Sequence, residues 1–584
     1  RNYIARAIKA LENEINTRMQ KLNAANVQGD NFDYNARFPQ DPIPSLLVVV
    51  DEFAVLKREF PELMAALIDV AATGRQPGVH LILATQSPSG VADDKIWANS
   101  QFRLCLRVAN REESHSILRR PEAARLPGRP PGRALLQVGG DPDAPLERLQ
   151  VASAGFAVRG DSDEGIEERF EIHEVLGDGS RELLYPVDGD RAIEPEGQTE
   201  LQQLTYLADK AARALRIPLP LPGPWLPPLP EVLPLDALWA EATPRRRYLA
   251  GDWTPVSTTP RLTLPFGRLD RPAARQQPVL RLDLGRQFPN LWLAGKPGAG
   301  VDLAVRTLVL ALAEQHTPAE LELYGLAFNG GALLPFKDLP HMAALLTLRD
   351  EEGLRDLLGA LQAEIDRRRE LFAEAGVDNA EHYRQKTGAS LSSIVVVIDG
   401  FDVLYREAQL ADYNSVLGEF KDRIEGLLRA GCDIHLVLTT VTATLFRDGI
   451  EKNVTGRVAL QLQDRADYYG VLGAPPPFLI DEARGRALWR EGAEMFELQL
   501  AAPTTAATGA EETETLTATA LAMAAGGGVR PETALDRWRA RSVAADGSNA
   551  EPAVDTDALG ARLNARLAQN SGARRGAAAP FALP

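Results

Sequence analysis

SLLVVVDEFAVL, residues Ser45 to Leu56, and SSIVVVIDGFDVL, residues Ser392 to Leu404, are one pattern written twice, and their reading decides the fold. Each is an apolar, valine-rich run that stops abruptly at acid, Asp51-Glu52 in the first and Asp399-Gly400 in the second. The two aspartates stand 348 positions apart (399 less 51), and the flanks keep nearly that offset. LENEI at Leu11 matches LQAEI at Leu361, Tyr34 matches Tyr383, His80 in GVHLIL matches His435 in DIHLVL, and Gln150 matches Gln499. Matches in one order at near-constant spacing identify a duplicated domain.

A short Val-rich run ending in acid predicts a strand buried on both faces of a parallel sheet. The acids then lie at the carboxyl end of the strand, where open α/β sheets bind ligands. One carboxylate there can hold Mg²⁺, and a second can orient or deprotonate an attacking water. The bland alternative is a solvated helix N-terminus, where acids are favoured anyway. GVHLILATQSP (Gly78 to Pro88) predicts a second buried strand ending in Thr85-Gln86, a polar terminus suited to sensing a γ-phosphate or a water.

A nucleotide site also needs a Gly-rich loop whose N–H groups cradle phosphates at a helix N-terminus. LWLAGKPGAGVDLAVRTLVLAL (Leu291 to Leu312) predicts strand, loop and helix, with glycines at Gly295, Gly298 and Gly300. Where G-x-x-x-x-G-K-[ST] would place Lys and Ser or Thr, this chain has Val301 and Asp302. Lys296 lies inside the loop, out of place for the usual phosphate contact. Gly400 replaces Glu52, and Thr439-Thr440 stand where the first copy has Thr85-Gln86. The second copy is expected not to hydrolyse nucleotide and to bind it weakly at most, through Gly295, Lys296, Gly298, Gly300 and Asp399. The plain alternative for its loop is a Gly-rich strand-to-helix turn. In the first copy the same offset puts the phosphate loop before residue 1. The chain opens on a helical stripe of Ile4, Ile8, Leu11, Ile15 and Leu22. These features are read as a first domain truncated at its N-terminus, in a portion of a longer protein.

These motifs resemble the FtsK/SpoIIIE superfamily of hexamer-forming P-loop ATPases, and more closely the type VII secretion ATPases (EccC/EssC family). The matching stretches are DEFAVL, ATGRQPGVHLILATQSP, ARLPGRPPGRALLQVG, PWLPPLPEVLPLDAL and ELYGLAFNGGALLPFKDLPHMAALLTLRDEE. The resemblance implies tandem RecA-like α/β domains with mostly parallel sheets, and ATP and Mg²⁺ as ligands. It implies that Asp51 is the Mg²⁺-associated carboxylate, Glu52 the catalytic base and Gln86 the polar sensor. Arg75 or Arg107 would reach a neighbouring subunit's nucleotide as an arginine finger. It further implies self-assembly into a hexamer, small helical secreted proteins as substrates, and other membrane subunits of a secretion complex as partners. The place implied is the cytoplasmic face of the plasma membrane, with the anchor upstream of these residues. A DNA translocase of the same superfamily and a non-hydrolysing scaffold or receptor are the rival readings.

Composition narrows these choices. The 584 residues carry a formal charge of −16, which argues against a DNA-binding surface along the chain. The basic stretches ARLPGRPPGR and PRRRYLAG are short and read as solvated loops. Cys105 and Cys432 are the only cysteines, so neither a disulfide framework nor a zinc site is indicated, and both read as buried free thiols. His80 and His435 share a strand position, for which packing is the simpler reading. No apolar run approaches the roughly 18 to 20 residues needed to span a bilayer.

The expected organisation has four parts. Residues 1–198 carry the first domain and 199–240 a helix and a Pro-rich linker. Residues 241–502 form the second, degenerate domain, and 503–584 an Ala/Thr-rich low-complexity tail that reads as disordered, with VRPETALDRWRARS as one short helix. Thr199 and Gln202 predict a capping box. Proline density over Ile217 to Leu235 predicts an extended strap that docks through Trp225 and its leucines. Leu354, Leu357, Leu358, Leu361 and Ile365 mark an amphipathic helix. FNGGALLPF (Phe328 to Phe336) reads as core packing or, alternatively, as a peptide-docking loop.

Overall fold

The computed structural model describes residues 2–86, 94–139, 141–153, 155, 173–175, 181–183, 199–217, 226–249, 251–410, 415–443, 450–476, 478, 480, 482–526 and 530–546. The chain is α/β and divides into two units, residues 1–228 with 271–277, and residues 229–270 with 278–584.

In the first unit, α1 (Asn2–Ala24) turns its predicted stripe inward, burying Ile8, Leu11, Ile15 and Leu22. Strand β1 (Leu46–Val50) leads into α2 (Phe53–Glu59) and α3 (Pro61–Thr73), and β2 (Val79–Leu83) follows. β1 and β2 pair in parallel, from Leu46 opposite Val79 to Val50 opposite Leu83. Beneath them Leu11, Ile15, Leu67, Val70 and Val79 form a core, against which Leu46, Val48, Val50 and Leu81 pack. The other face is bare: Leu47 is 57% and Val49 60% exposed. That corrects the expectation of burial on both faces. Among the described residues α1, α2 and α3 pack on the pair and leave Leu47 and Val49 uncovered, so the valine run alternates in and out.

The same unit also holds a three-stranded antiparallel sheet of β3 (Phe102–Leu106), β4 (Arg133–Val138) and β5 (Leu146–Gln150), with α4 (Arg111–Leu118) between β3 and β4. Cys105, Leu118 and Leu135 pack on one side of it. α5 (Glu200–Ala214) opens on the predicted Thr199–Gln202 capping box and buries none of its residues.

The second unit is built on ten strands: β6 (Thr263–Asp270), β7 (Val279–Asp283), β8 (Asn290–Ala294), β9 (Leu321–Ala327), β10 (Met342–Leu346), β11 (Ser393–Asp399), β12 (Ile434–Thr440), β13 (Gly456–Leu460), β14 (Arg486–Glu491) and β15 (Glu494–Leu500). Their order is β7-β6-β15-β14-β13-β8-β12-β11-β9-β10, parallel from β13 through β10 and antiparallel at the other edge. β11 and β12 are buried along their whole length, as runs apolar on both faces require. α6 (Leu235–Ala242) and α7 (Val301–Gln315) pack on one side of the sheet, and α7, apolar almost all round, is buried almost throughout. On the other side α8 (Glu351–Ala375) buries its predicted stripe from Leu354 to Ile365, and α9 (Ala380–Thr387), α10 (Phe401–Leu410) and α11 (Val416–Ala430) follow it in the chain.

The expected four-part division shifts in two places. The unit boundary falls inside the Pro-rich stretch, because its end belongs to the second unit: Leu229 and Leu233 are buried, and Leu233 O accepts from Ala502 N at 2.7 Å. Trp225 lies outside the described residues. The Ala/Thr-rich segment is not structureless where it is described. α12 (Gly509–Gly526) buries Glu512, Leu516, Ala520 and Met523, and α13 (Ala534–Asp546) packs on α8. Composition misleads here because one residue per turn is enough to seat a helix on a ready-made core. In FNGGALLPF, Ala332, Leu333 and Phe336 are buried and Leu334 is the one exposed hydrophobic side chain, so core packing is what is observed.

PRRRYLAG is also not a solvated loop. Arg246–Leu249 is a strand, and Arg245 and Arg246 both engage Glu320. Both thiols are free, but only Cys105 is buried and Cys432 is part exposed. His435 is buried while His80, its match, faces out. Packing therefore accounts for one histidine of the pair.

Candidate active site

β1 delivers Asp51 and Glu52 to the carboxyl edge of the parallel pair, and β2 delivers Thr85 and Gln86 to the same edge. The backbones are stitched there by Ala84 N donating to Val50 O and Phe53 N donating to Ala84 O, both at 2.9 Å. Asp51 is exposed. Glu52 turns towards β2: Thr85 Oγ1 donates to its Oε1 at 2.7 Å and Gln86 N to its Oε2 at 3.0 Å. The Thr85 hydroxyl first, and the Gln86 amide next, hold this carboxyl below the usual glutamate range. Glu52 sits in the left-handed region, φ 54° and ψ 54°, which side-chain-bearing residues seldom adopt.

Asp51, Glu52 and Gln86 are therefore brought together. The two arginines are not. Arg75 lies before β2, at the opposite end of that strand from Glu52, exposed and with no ion pair among the described residues. Arg107 follows β3 in the antiparallel sheet, with its guanidinium over Gly128.

The second unit shows the matching edge in altered form. Register places Val50 opposite Leu83 and Ile398 opposite Leu438, so Asp51 corresponds to Asp399 and Thr85 to Thr440. This shifts the sequence-based match by one: Thr439 replaces Ala84, and Val441, not a polar residue, replaces Gln86. Asp399 is 5% exposed, and its Oδ1 accepts from Thr439 Oγ1 at 2.9 Å while its Oδ2 is buried without a partner. Burial pushes this carboxyl up to about 6, Asp302 and Asp402 push the same way, and the Thr439 hydroxyl opposes them.

The loop after β8 keeps the shape of a phosphate cradle, with Gly298 and Gly300 at φ 84° and 104°. Gly295 N and Lys296 N are spent on Thr440 O and Gln461 O. Where a Ser or Thr would serve a phosphate, Asp302 pairs with Arg484 at 2.6 Å. Arg484 also meets Glu512 of α12, which holds the buried Arg306 at 2.8 Å. Carboxylates of the chain thus pair with two of the cations near this loop, Arg484 and Arg306. Sequence reasoning missed Arg306, Arg484 and Glu512, whose partners lie far apart in the chain.

Among the described residues no three His, Cys, Asp or Glu side chains cluster as a metal site. A lone exposed carboxylate such as Asp51 still fits Mg²⁺, which keeps several waters and takes phosphate oxygens as its other ligands. Nor is any helix, among the described residues, long and apolar enough to cross a membrane.

Comparison with known proteins adds relatives to this geometry. Residues 258–474 match the FtsK/SpoIIIE family. The type VII secretion system protein EssC of Staphylococcus aureus is 31% identical over 489 residues, covering 83% of this chain and 32% of that protein. The ESX secretion system protein EccC of Geobacillus thermodenitrificans is 30% identical over 496 residues, covering 84% and 31%. The solved cytoplasmic domain of the Thermomonospora curvata type VII secretion ATPase EccC superposes with a TM-score of 0.68 at 25% identity, covering 90% of this chain and 56% of that one. The chain spans about a third of the length of the curated relatives it matches.

Proposed function

This chain belongs to the FtsK/SpoIIIE family, and from that premise we propose that it is part of an ATP-hydrolysing motor of a type VII protein secretion system. The first unit is the catalytic one and the second a degenerate partner that reports substrate or assembly state. The observation that carries this reading is the pairing of Asp51-Glu52 with Thr85-Gln86 at one sheet edge, set against its dismantled copy at Asp399-Gly400.

The chemistry assigned to each residue follows from its place. Glu52, its carboxylate fixed by two donors, keeps free lone pairs to accept a proton from an attacking water. The exposed Gln86 side chain reaches the water or a terminal phosphate. Asp51 holds Mg²⁺, which neutralises phosphate charge when bound. Arg75 cannot serve its own site from the far end of β2, so it is a candidate finger only for a neighbouring subunit's site, within a hexamer. Arg107 is the other candidate for that role. In the second unit Asp302 puts charge of the wrong sign at the cradle, so Gly295, Lys296, Gly298, Gly300 and Asp399 retain the shape of a site without its chemistry.

The phosphate loop for the first site is assigned to sequence outside these residues, as is the membrane anchor at the cytoplasmic face. Purified residues 1–584 should therefore show no turnover. The test is ATPase activity of the intact protein, wild type against Glu52→Gln, with DNA and with a small helical secreted protein added separately. Turnover lost in the variant and stimulated by the protein substrate supports the motor. Stimulation by DNA moves the protein to the DNA-pumping branch, against which the charge of −16 weighs. Absence of turnover under every condition leaves a scaffold or substrate receptor.

A further inference from the structure

We propose that Thr85 is a positioning residue for Glu52, its hydroxyl fixing the orientation of the carboxylate that takes the proton from water. The proposal rests on the assignment of Glu52 as the base.

Three observations carry it. The first is the bond itself, Thr85 Oγ1 to Glu52 Oε1 at 2.7 Å, joined by Gln86 N to Oε2 at 3.0 Å. Two donors on two oxygens fix the plane of a carboxylate, where one would leave it free to rotate. Each oxygen still has a lone pair to offer, so the group is oriented without being used up.

The second is what Glu52 forgoes. It is the residue before α2, where an acidic side chain ordinarily turns back onto the first helical N–H groups. Here no such capping bond forms, and the backbone is left-handed instead. The side chain has given up a local structural role in order to meet β2. Strained backbone of this kind persists where surroundings over-determine it, characteristically at working sites.

The third is an internal control. In the second unit Thr440 occupies the register position of Thr85, but position 400 is glycine and has no carboxylate to hold. The Thr440 hydroxyl accepts from Trp292 Nε1 at 2.8 Å, deep in the sheet. The hydroxyl serves a carboxylate in the copy that has one and a tryptophan in the copy that does not.

The experiment compares Thr85→Val, Thr85→Ala and Thr85→Ser in the intact protein by steady-state ATPase kinetics and thermal melting. A positioning residue contributes to kcat and not to nucleotide affinity, because it acts on the water and not on the phosphates. Thr85→Val and Thr85→Ala should each lower kcat by about tenfold or more with KM for ATP within about twofold, and Thr85→Ser should recover most of the loss. Thr85→Ala removes atoms from a part-exposed side chain without adding any, so it keeps the test open if the valine variant fails to fold. Wild-type kcat in Thr85→Ala overturns the proposal, and so does a loss in Thr85→Ser equal to that in Thr85→Ala. A change confined to KM overturns it too. Glu52→Gln, run alongside, separates the two readings: turnover that survives there removes the base assignment itself, whatever Thr85 does.

Discussion

Glu52 and Gly400 occupy the same turn in the two copies, and both are left-handed, at φ 54° and φ 91°. Glycine takes that region freely and glutamate does not. The degenerate copy has the relaxed residue and the copy with Thr85-Gln86 the strained one. Glu52→Gly should therefore raise the denaturation midpoint of the first unit while abolishing turnover in the intact protein. Urea titration of residues 1–584, followed by hydrogen exchange at β1 and β2, reads the first effect. A lowered midpoint would mean that the Thr85 and Gln86 bonds outweigh the backbone strain.

The reverse exchange is blocked. A Cβ built on Gly400 lies 2.4 Å from Asn329 Cβ and 2.8 Å from Asn329 N, and Asn329 N is itself anchored on Asp399 O at 3.0 Å. Gly400→Glu should thus cost the second unit about 2 kcal/mol or more and restore no hydrolysis. A melt at wild-type temperature would show that the Asn329 loop yields.

Arg306 is 8% exposed and Glu512 4%, and they meet at 2.8 Å between α7 and α12. Removing one member of a buried pair strands the other's charge, whereas removing both need not. Glu512→Ala should cost about 3–5 kcal/mol, and the double change Arg306→Met with Glu512→Leu markedly less than that. Chemical denaturation of the three proteins checks the order. Equal losses in the single and double variants would sink the idea that stranded charge is what matters.

These residues also mark where reading a sequence stops. Asp51, Glu52 and Gln86 were legible because an apolar run ending in polar residues is local, and the duplication ranked the two copies. The stripe from Leu354 to Ile365 was legible for the same reason, a period within one helix. The bare face at Leu47 and Val49 was not, since a valine run looks the same whether one or both faces are covered. The slip that set Thr439 against Thr85 was not forced: the offset of 355 at His435 already carries Thr85 onto Thr440 and Gln86 onto Val441, as the paired strands do. Arg484 with Asp302 is a contact across 182 positions, which no local pattern announces. α12 was hidden by its composition, although Glu512, Leu516, Ala520 and Met523 recur at helical spacing.

Asp399 supplies a prediction whose sign can be worked out in full. Burial raises its folded-state value to about 6 from the ordinary 3.8. Between those values the folded chain binds more protons at this site than the unfolded chain, so stability must fall as pH rises through the window. The protonated acid contributes its stability below about pH 4 and loses it by about pH 6. Asparagine keeps an oxygen for the Thr439 hydroxyl and carries no charge to desolvate. Asp399→Asn should then match wild type near pH 4 and exceed it at pH 8 by roughly 1–3 kcal/mol. Denaturant titrations at a series of pH values measure the difference directly. A gap between the two proteins that stays constant from pH 4 to pH 8 would mean that Asp399 is not the group being desolvated. A gap that opens between pH 4 and pH 6 would mean that the second unit carries, at the position matching Asp51, a carboxylate whose charge works against the fold.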